Sequence, residues 1–129
     1  MTTISRQLTV NITAGDVWTQ LKEGSGGAVY AVPTSGSITN RADIKLLRVI
    51  NNASGSGQVQ LAFSTNSTIL AEEIVWPRKD LLAYYQVDDD SVHVLRSQEG
   101  IWAKLINTSG SVNATARASI GTDCRALSR

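Results

Sequence analysis

The stretch that decides the fold class is Ile44-Lys45-Leu46-Leu47-Arg48-Val49-Ile50, followed by Asn51-Asn52-Ala53-Ser54-Gly55-Ser56-Gly57 and then Gln58-Val59-Gln60-Leu61-Ala62-Phe63-Ser64. In the last of these, Val59, Leu61 and Phe63 occupy alternate positions, which places them on one face of an extended strand. The first is apolar on both faces in its second half, as expected of a strand covered on both sides. The Asn, Ser and Gly-rich run between them reads as a clear turn. This predicts two strands joined as a hairpin.

Working outward, the same period of two recurs. Leu8, Val10 and Ile12 alternate with Gln7, Thr9 and Asn11, predicting a half-buried strand. Val17 to Leu21 and Ala28 to Val32 predict short strands, the second closed by Pro33, with a loop across Lys22 to Gly27. The piece from Thr68 to Trp76 mixes helical and strand spacing, and reads as a turn and a short strand stopped by Pro77. Leu81 to Val87 predicts a strand joined through Asp88-Asp89-Asp90-Ser91 to Val92-Leu95, and Ile101–Ile106 and Val112–Ile120 predict a final pair. About a fifth of the residues are Ser or Thr and no long helical block interrupts the pattern. The expectation is an all-β, antiparallel β-sandwich of jelly-roll type with about eight strands.

With 129 residues, one domain over 1–129 is expected, with 1–6 as an N-terminal arm and 121–129 as a flexible tail. Twelve Lys and Arg against eleven Asp and Glu give a net charge of +1, so no general field draws the chain to nucleic acid. No segment has the length of a membrane span, and the start, MTTISRQLTV, lacks the pattern of a secretory leader, so a cytosolic origin is expected. The sequons beginning at Asn11, Asn52, Asn66, Asn107 and Asn113 then read as products of a Ser, Thr and Asn-rich composition rather than as glycosylation sites.

The residues that carry chemistry are few. Cys124 and His93 are each the sole residue of their type, which excludes an internal disulfide, a zinc cluster and a CxxC redox pair. No cofactor or metal is expected. Gly24-Ser25-Gly26-Gly27 lacks the Lys-Ser/Thr of a phosphate loop and reads as a flexible turn. Asp88-Asp89-Asp90 reads as a solvated turn, because consecutive carboxylates point in alternating directions and do not converge on one cation. His93 lies in an alternating strand and reads as a surface or interface residue. Cys124, on a polar tail, reads as a site of intermolecular contact. A hydrolase would have to draw on Glu72, Glu73 and Asp88 to Asp90, none with an evident partner. Catalytic residues are therefore expected to be absent.

A resemblance adds to this. Leu47-Arg48-Val49-Ile50-Asn51-Asn52-Ala53-Ser54-Gly55, Val59 to Phe63, Val94-Leu95 through Gly100-Ile101-Trp102-Ala103-Lys104, and Gly110-Ser111-Val112-Asn113-Ala114-Thr115 follow an order of elements that resembles the small β-sandwich virion proteins of tailed bacteriophages. These include capsid decoration, or cement, proteins and some tail-associated proteins. The resemblance covers a little more than half the chain and none of the first 45 residues. It implies a non-enzymatic structural protein of the virion, made in the host bacterial cytoplasm. Its partners would be the major capsid protein or other virion proteins, and its favoured assembly a homotrimer. Under it, Thr2, Thr3, Ile4, Ser5 and Arg6 are expected to form a capsid-contacting arm, since a free end can add a strand to a neighbouring sheet. The alternative is a receptor- or carbohydrate-binding module on a tail, with an aromatic surface around Trp76, Tyr84 and Trp102. Core packing and subunit contacts compete for the same aromatics, including Trp18, Tyr30 and Tyr85.

Overall fold

In the computed structural model, which describes residues 3–12, 15–24, 27–32, 41–91 and 93–123, the alternation along Ile44–Ser64 becomes two long strands that do not pair with each other. The strands are β1 (Thr3–Ile12), β2 (Thr19–Gln20), β3 (Lys22–Glu23), β4 (Arg41–Asn51), β5 (Ser56–Ser64), β6 (Ile74–Leu81), β7 (Gln86–Asp89), β8 (His93–Arg96), β9 (Gly100–Ser109) and β10 (Ala114–Asp123). A single 3-10 turn, Ala71–Glu73, precedes β6. One sheet runs β3-β1-β10-β4-β7, with β8 also paired to β4; the other runs β2-β9-β5-β6. All pairings are antiparallel.

Taking β2 with β3 as one strand that passes between the sheets, and β7 with β8 as one strand broken along β4, leaves eight strands in the order of a jelly roll. In this topology successive strands cross from sheet to sheet, except β5 and β6, which pair as neighbours in one sheet. The three expected hairpins are accordingly corrected. β4 and β5 lie in opposite sheets, as do β9 and β10, while β7 and β8 both pair with β4. Alternation reports which face of a strand is buried, and is silent about which strand lies beside it.

The core lies between the sheets. β10 contributes a row of small side chains, Ala114, Ala116 and Ala118, from the middle of its sheet. The facing sheet contributes larger residues to the same core, Leu61, Leu105 and Trp76 among them, as a close-packed interior of mixed side-chain sizes requires. Opposite Ser119 and Ile120 the register of β4 slips from Leu46 to Ile44, leaving Lys45 as a bulge. The bulge explains how Ile44 and Leu47, three residues apart, both face inward. Leu46 and Ile50 are half-buried on the outer face, so this strand is covered on one side, not on both.

Three further expectations change. β6 does not stop at Pro77 but continues to Leu81. It is the edge of its sheet and its register shifts between Trp76 and Lys79, so the missing N–H of proline breaks no required ladder bond. Leu82 to Tyr85 form a turn rather than the body of a strand. Residues 3–6 are not a free arm and 121–123 are not a loose tail. Thr3, Ile4, Ser5 and Arg6 pair with Asp123, Thr122, Gly121 and Ile120, because the ladder bonds of each strand satisfy those of the other.

Candidate functional site

At one end of the sandwich three loops converge on Asn51, whose side chain is fully buried. Its Nδ2 donates to the carbonyls of Gly55 and Leu82, each at 2.9 Å, and its Oδ1 accepts from the amides of Ala53 at 3.1 Å and Asn113 at 3.4 Å. Both donors and both acceptor positions of the amide are thereby used. Backbone bonds reinforce the junction: Asn51 N to Tyr85 O, Tyr84 N to Ala53 O, and Gly55 N to Ser111 O. A Cβ on Gly55 would stand 2.3 Å from the Ser111 carbonyl oxygen, so only glycine fits there.

The product of this junction is a rigid turn with apolar side chains facing solvent. Leu82 is 54%, Tyr84 73% and Tyr85 51% exposed. Tyr84 has φ +52°, a left-handed conformation that aromatic residues seldom adopt and that the surrounding hydrogen bonds must impose. Side chains presented on a pre-fixed backbone lose less conformational freedom on any contact than those on a mobile loop.

The expected aromatic surface does not assemble. Trp76 is 1% exposed in the core. Its Nε1 donates to Asp89 Oδ2 at 2.8 Å and the Lys79 ammonium sits 5.2 Å from its ring. Of the three predicted residues only Tyr84 is at the pinned turn. Trp102 is on the outer face of β9, half-buried, with Nε1 directed at the Ser64 carbonyl at 3.3 Å. Trp18 lies on the same outer face, its ring 4.9 Å from the Lys104 ammonium. Tyr30 is buried beneath the Arg6 guanidinium, 5.6 Å from the ring centre. Burial pushes its phenol pKa up, against the lowering effect of Arg6 and with a further rise from Glu23.

His93 faces inward from β8 at the open edge where β6 approaches β7. Its Nε2 is 3.0 Å from Asp89 Oδ2, and its ring meets Phe63 edge-on, centroids 5.7 Å apart. Burial acts to raise the Asp89 pKa, but hydrogen bonds from Trp76, Ser91 and His93 together outweigh it and hold the carboxyl well below the usual carboxylate range. Beside this pair opens a cleft of about 880 Å3 lined by Glu72, Glu73, Arg41 and Arg96 among others. Glu73 accepts from the Leu70 amide and Glu99 from the Arg96 amide, so both close turns of the backbone. Asp88 points away to the outer face, clasped by Arg48 Nε at 2.8 Å and Nη2 at 3.2 Å. The acids that a hydrolase would require are thus divided between surfaces. Among the described residues no group of three His, Cys, Asp or Glu is placed to hold a metal ion.

Arg6 turns inward from β1 and forms an ion pair with Glu23, a structural role different from the capsid-contacting one expected of residues 2–6. Thr2 and Cys124 lie outside the described residues. The residue that sequence reasoning missed is Asn51. It reads as one polar member of a turn, and only the crossing of β4 to the other sheet buries it. No protein-family model and no curated protein matches the chain.

Proposed function

We propose that this chain is a non-enzymatic structural protein of a bacteriophage virion, a capsid decoration or cement protein that binds the outer capsid lattice and stabilises it. The single observation that carries the reading is the pinned turn Leu82–Tyr85, an apolar protrusion whose backbone is fixed before any partner arrives. A protein that adds to a preassembled shell gains from such preorganisation, because little freedom remains to be lost on docking. The jelly-roll topology supports the reading only in general terms, since viral capsid and lectin domains share it and fold does not fix function. Three copies around a local threefold axis would each present one such turn to the lattice.

The test uses shells assembled from a major capsid protein without this chain. The wild-type protein is expected to co-sediment with them, and the double substitution Tyr84→Ala, Tyr85→Ala is expected to weaken binding at least tenfold while leaving the circular dichroism spectrum unchanged. Absence of co-sedimentation, or equal binding by the double variant, overturns the proposal. Light scattering of the free protein gives the assembly state, for which a trimer insensitive to reductant is expected.

A further inference from the structure

On the outer face of the β2-β9-β5-β6 sheet lies a groove of about 470 Å3, lined by none of the turn residues Leu82 to Tyr85. This falls within the range of about 300–1,000 Å3 typical of small-ligand sites. Its floor is Gln60 of β5 with Lys104 and Ile106 of β9; Arg78 bounds one side, and Asp16 and Asn107 the other. The register of β2 with β9, Thr19 to Ala103 and Gln20 to Trp102, places Trp18 across from Lys104 and sets Trp102 beside the groove on the same face.

The polar groups are held in fixed orientations. Gln60 donates through Nε2 to the Pro77 carbonyl, and Asn107 donates through Nδ2 to Gln58 Oε1 at 2.8 Å. Each amide is therefore anchored by its donor end and keeps its carbonyl oxygen as an acceptor. Lys104, stacked on Trp18 and 3.6 Å from Asp16, supplies donors. Arg78 is exposed and, among the described residues, belongs to no ion pair. The wall residues Asp16 and Asn107 have φ +67° and +52°, two of the four left-handed non-glycine positions among the described residues. Asp and Asn adopt this conformation readily, so both wall positions hold it at little cost.

We infer that this groove binds an acidic saccharide, its hydroxyls exchanging hydrogen bonds with Gln60, Asn107 and Lys104 and its carboxylate received by Arg78. A sugar hydroxyl both donates and accepts, which matches two fixed carbonyl acceptors and the one ammonium donor of Lys104. The guanidinium of Arg78 offers two parallel N–H donors to a carboxylate. The net positive charge of Arg78, Lys104 and Asp16 taken together favours an anionic sugar over a neutral one. The inference is independent of the virion reading, which rests on the other surface.

The experiment titrates the full chain with neutral, uronate-containing and sialylated oligosaccharides, followed by tryptophan fluorescence and by the side-chain amide resonances of Gln60 and Asn107. At least one acidic oligosaccharide is expected to bind and to shift both amides. Arg78→Gln, at an exposed position, and methyl esterification of the bound sugar's carboxylate are each expected to weaken binding at least tenfold, whereas Tyr84→Ala leaves it unchanged. The inference is overturned if no member of the panel binds at millimolar concentration. It is equally overturned by neutral sugars binding as well as acidic ones, or by Arg78→Gln binding like wild type.

Discussion

Replacing Asn51 by alanine tests the claim that one buried amide holds this end of the sandwich together. The substitution removes four hydrogen bonds, those to the carbonyls of Gly55 and Leu82 and from the amides of Ala53 and Asn113. At about 1 kcal/mol net for each, with less for the long contact to Asn113, the loss is about 3–4 kcal/mol. That is a large part of the roughly 5–15 kcal/mol that stabilises an ordinary domain. For a chain of this size it lowers the thermal midpoint by about 10–20 °C. Denaturant unfolding gives the free energy, and amide hydrogen exchange gives its location: the amides of Ala53, Tyr84 and Tyr85 should lose protection before those of β5 or β10. A destabilisation below about 1.5 kcal/mol, or exchange that quickens evenly over the whole chain, would refute the reasoning and with it the rigidity ascribed to the turn.

Gly55→Ala drives a methyl group against the Ser111 carbonyl oxygen, so a loss of about 2 kcal/mol or more is expected from overpacking, measured by urea midpoint. Tyr84→Gly relieves a left-handed φ of +52° and should leave stability unchanged or raised by up to about 1 kcal/mol, while capsid binding falls. Trp76→Ala empties a core position and should cost about 3–5 kcal/mol, whereas Trp102→Ala, half-exposed, should cost clearly less in the same thermal assay. Asp89 has its folded-state pKa lowered by hydrogen bonding. Its contribution is therefore present above the unfolded carboxylate pKa of about 3.9 and is lost as pH falls below that value toward the folded pKa. Urea midpoints measured from pH 6 downward should fall more steeply for wild type than for Asp89→Asn, and parallel curves would remove Asp89 from the account.

How much of this was legible in the sequence follows from what a period of two can encode. The inward faces of β1, β5 and β10 are written directly in Leu8, Val10 and Ile12, in Val59, Leu61 and Phe63, and in Ala114, Ala116 and Ala118. The β-sandwich class followed from such alternation and from the lack of helical blocks. Strand partners did not follow, because a polar run such as Asn51–Gly55 serves equally as a hairpin turn and as a corner between sheets. The Lys45 bulge imitated a strand buried on both faces. For the candidate surfaces, Tyr84 was legible as a surface aromatic but Trp76 was not distinguishable from it, since burial of an indole is decided by tertiary packing. The groove on the outer sheet was illegible for a similar reason: Asp16, Gln60, Arg78 and Asn107 come from four separate segments and meet only through cross-strand register.

The full-length ladder between β1 and β10, from Thr3 with Asp123 to Ile12 with Ala114, has a consequence for synthesis. As the chain leaves a ribosome, β1 emerges about a hundred residues before the strand that completes it, and β4, on the other side of β10, also waits for it. No subset of the early strands can close the first sheet, so the sandwich forms only after residues 114–123 are released. Pairings of such wide sequence separation make folding slow on the scale of domains this size, because the loop must be closed before the contacts stabilise it. During that interval the edges of β1 and β4 stand open to other nascent chains. Rapid production of this protein should therefore be limited by misassociation before completion, and slower synthesis at lower temperature should raise the yield of folded chains.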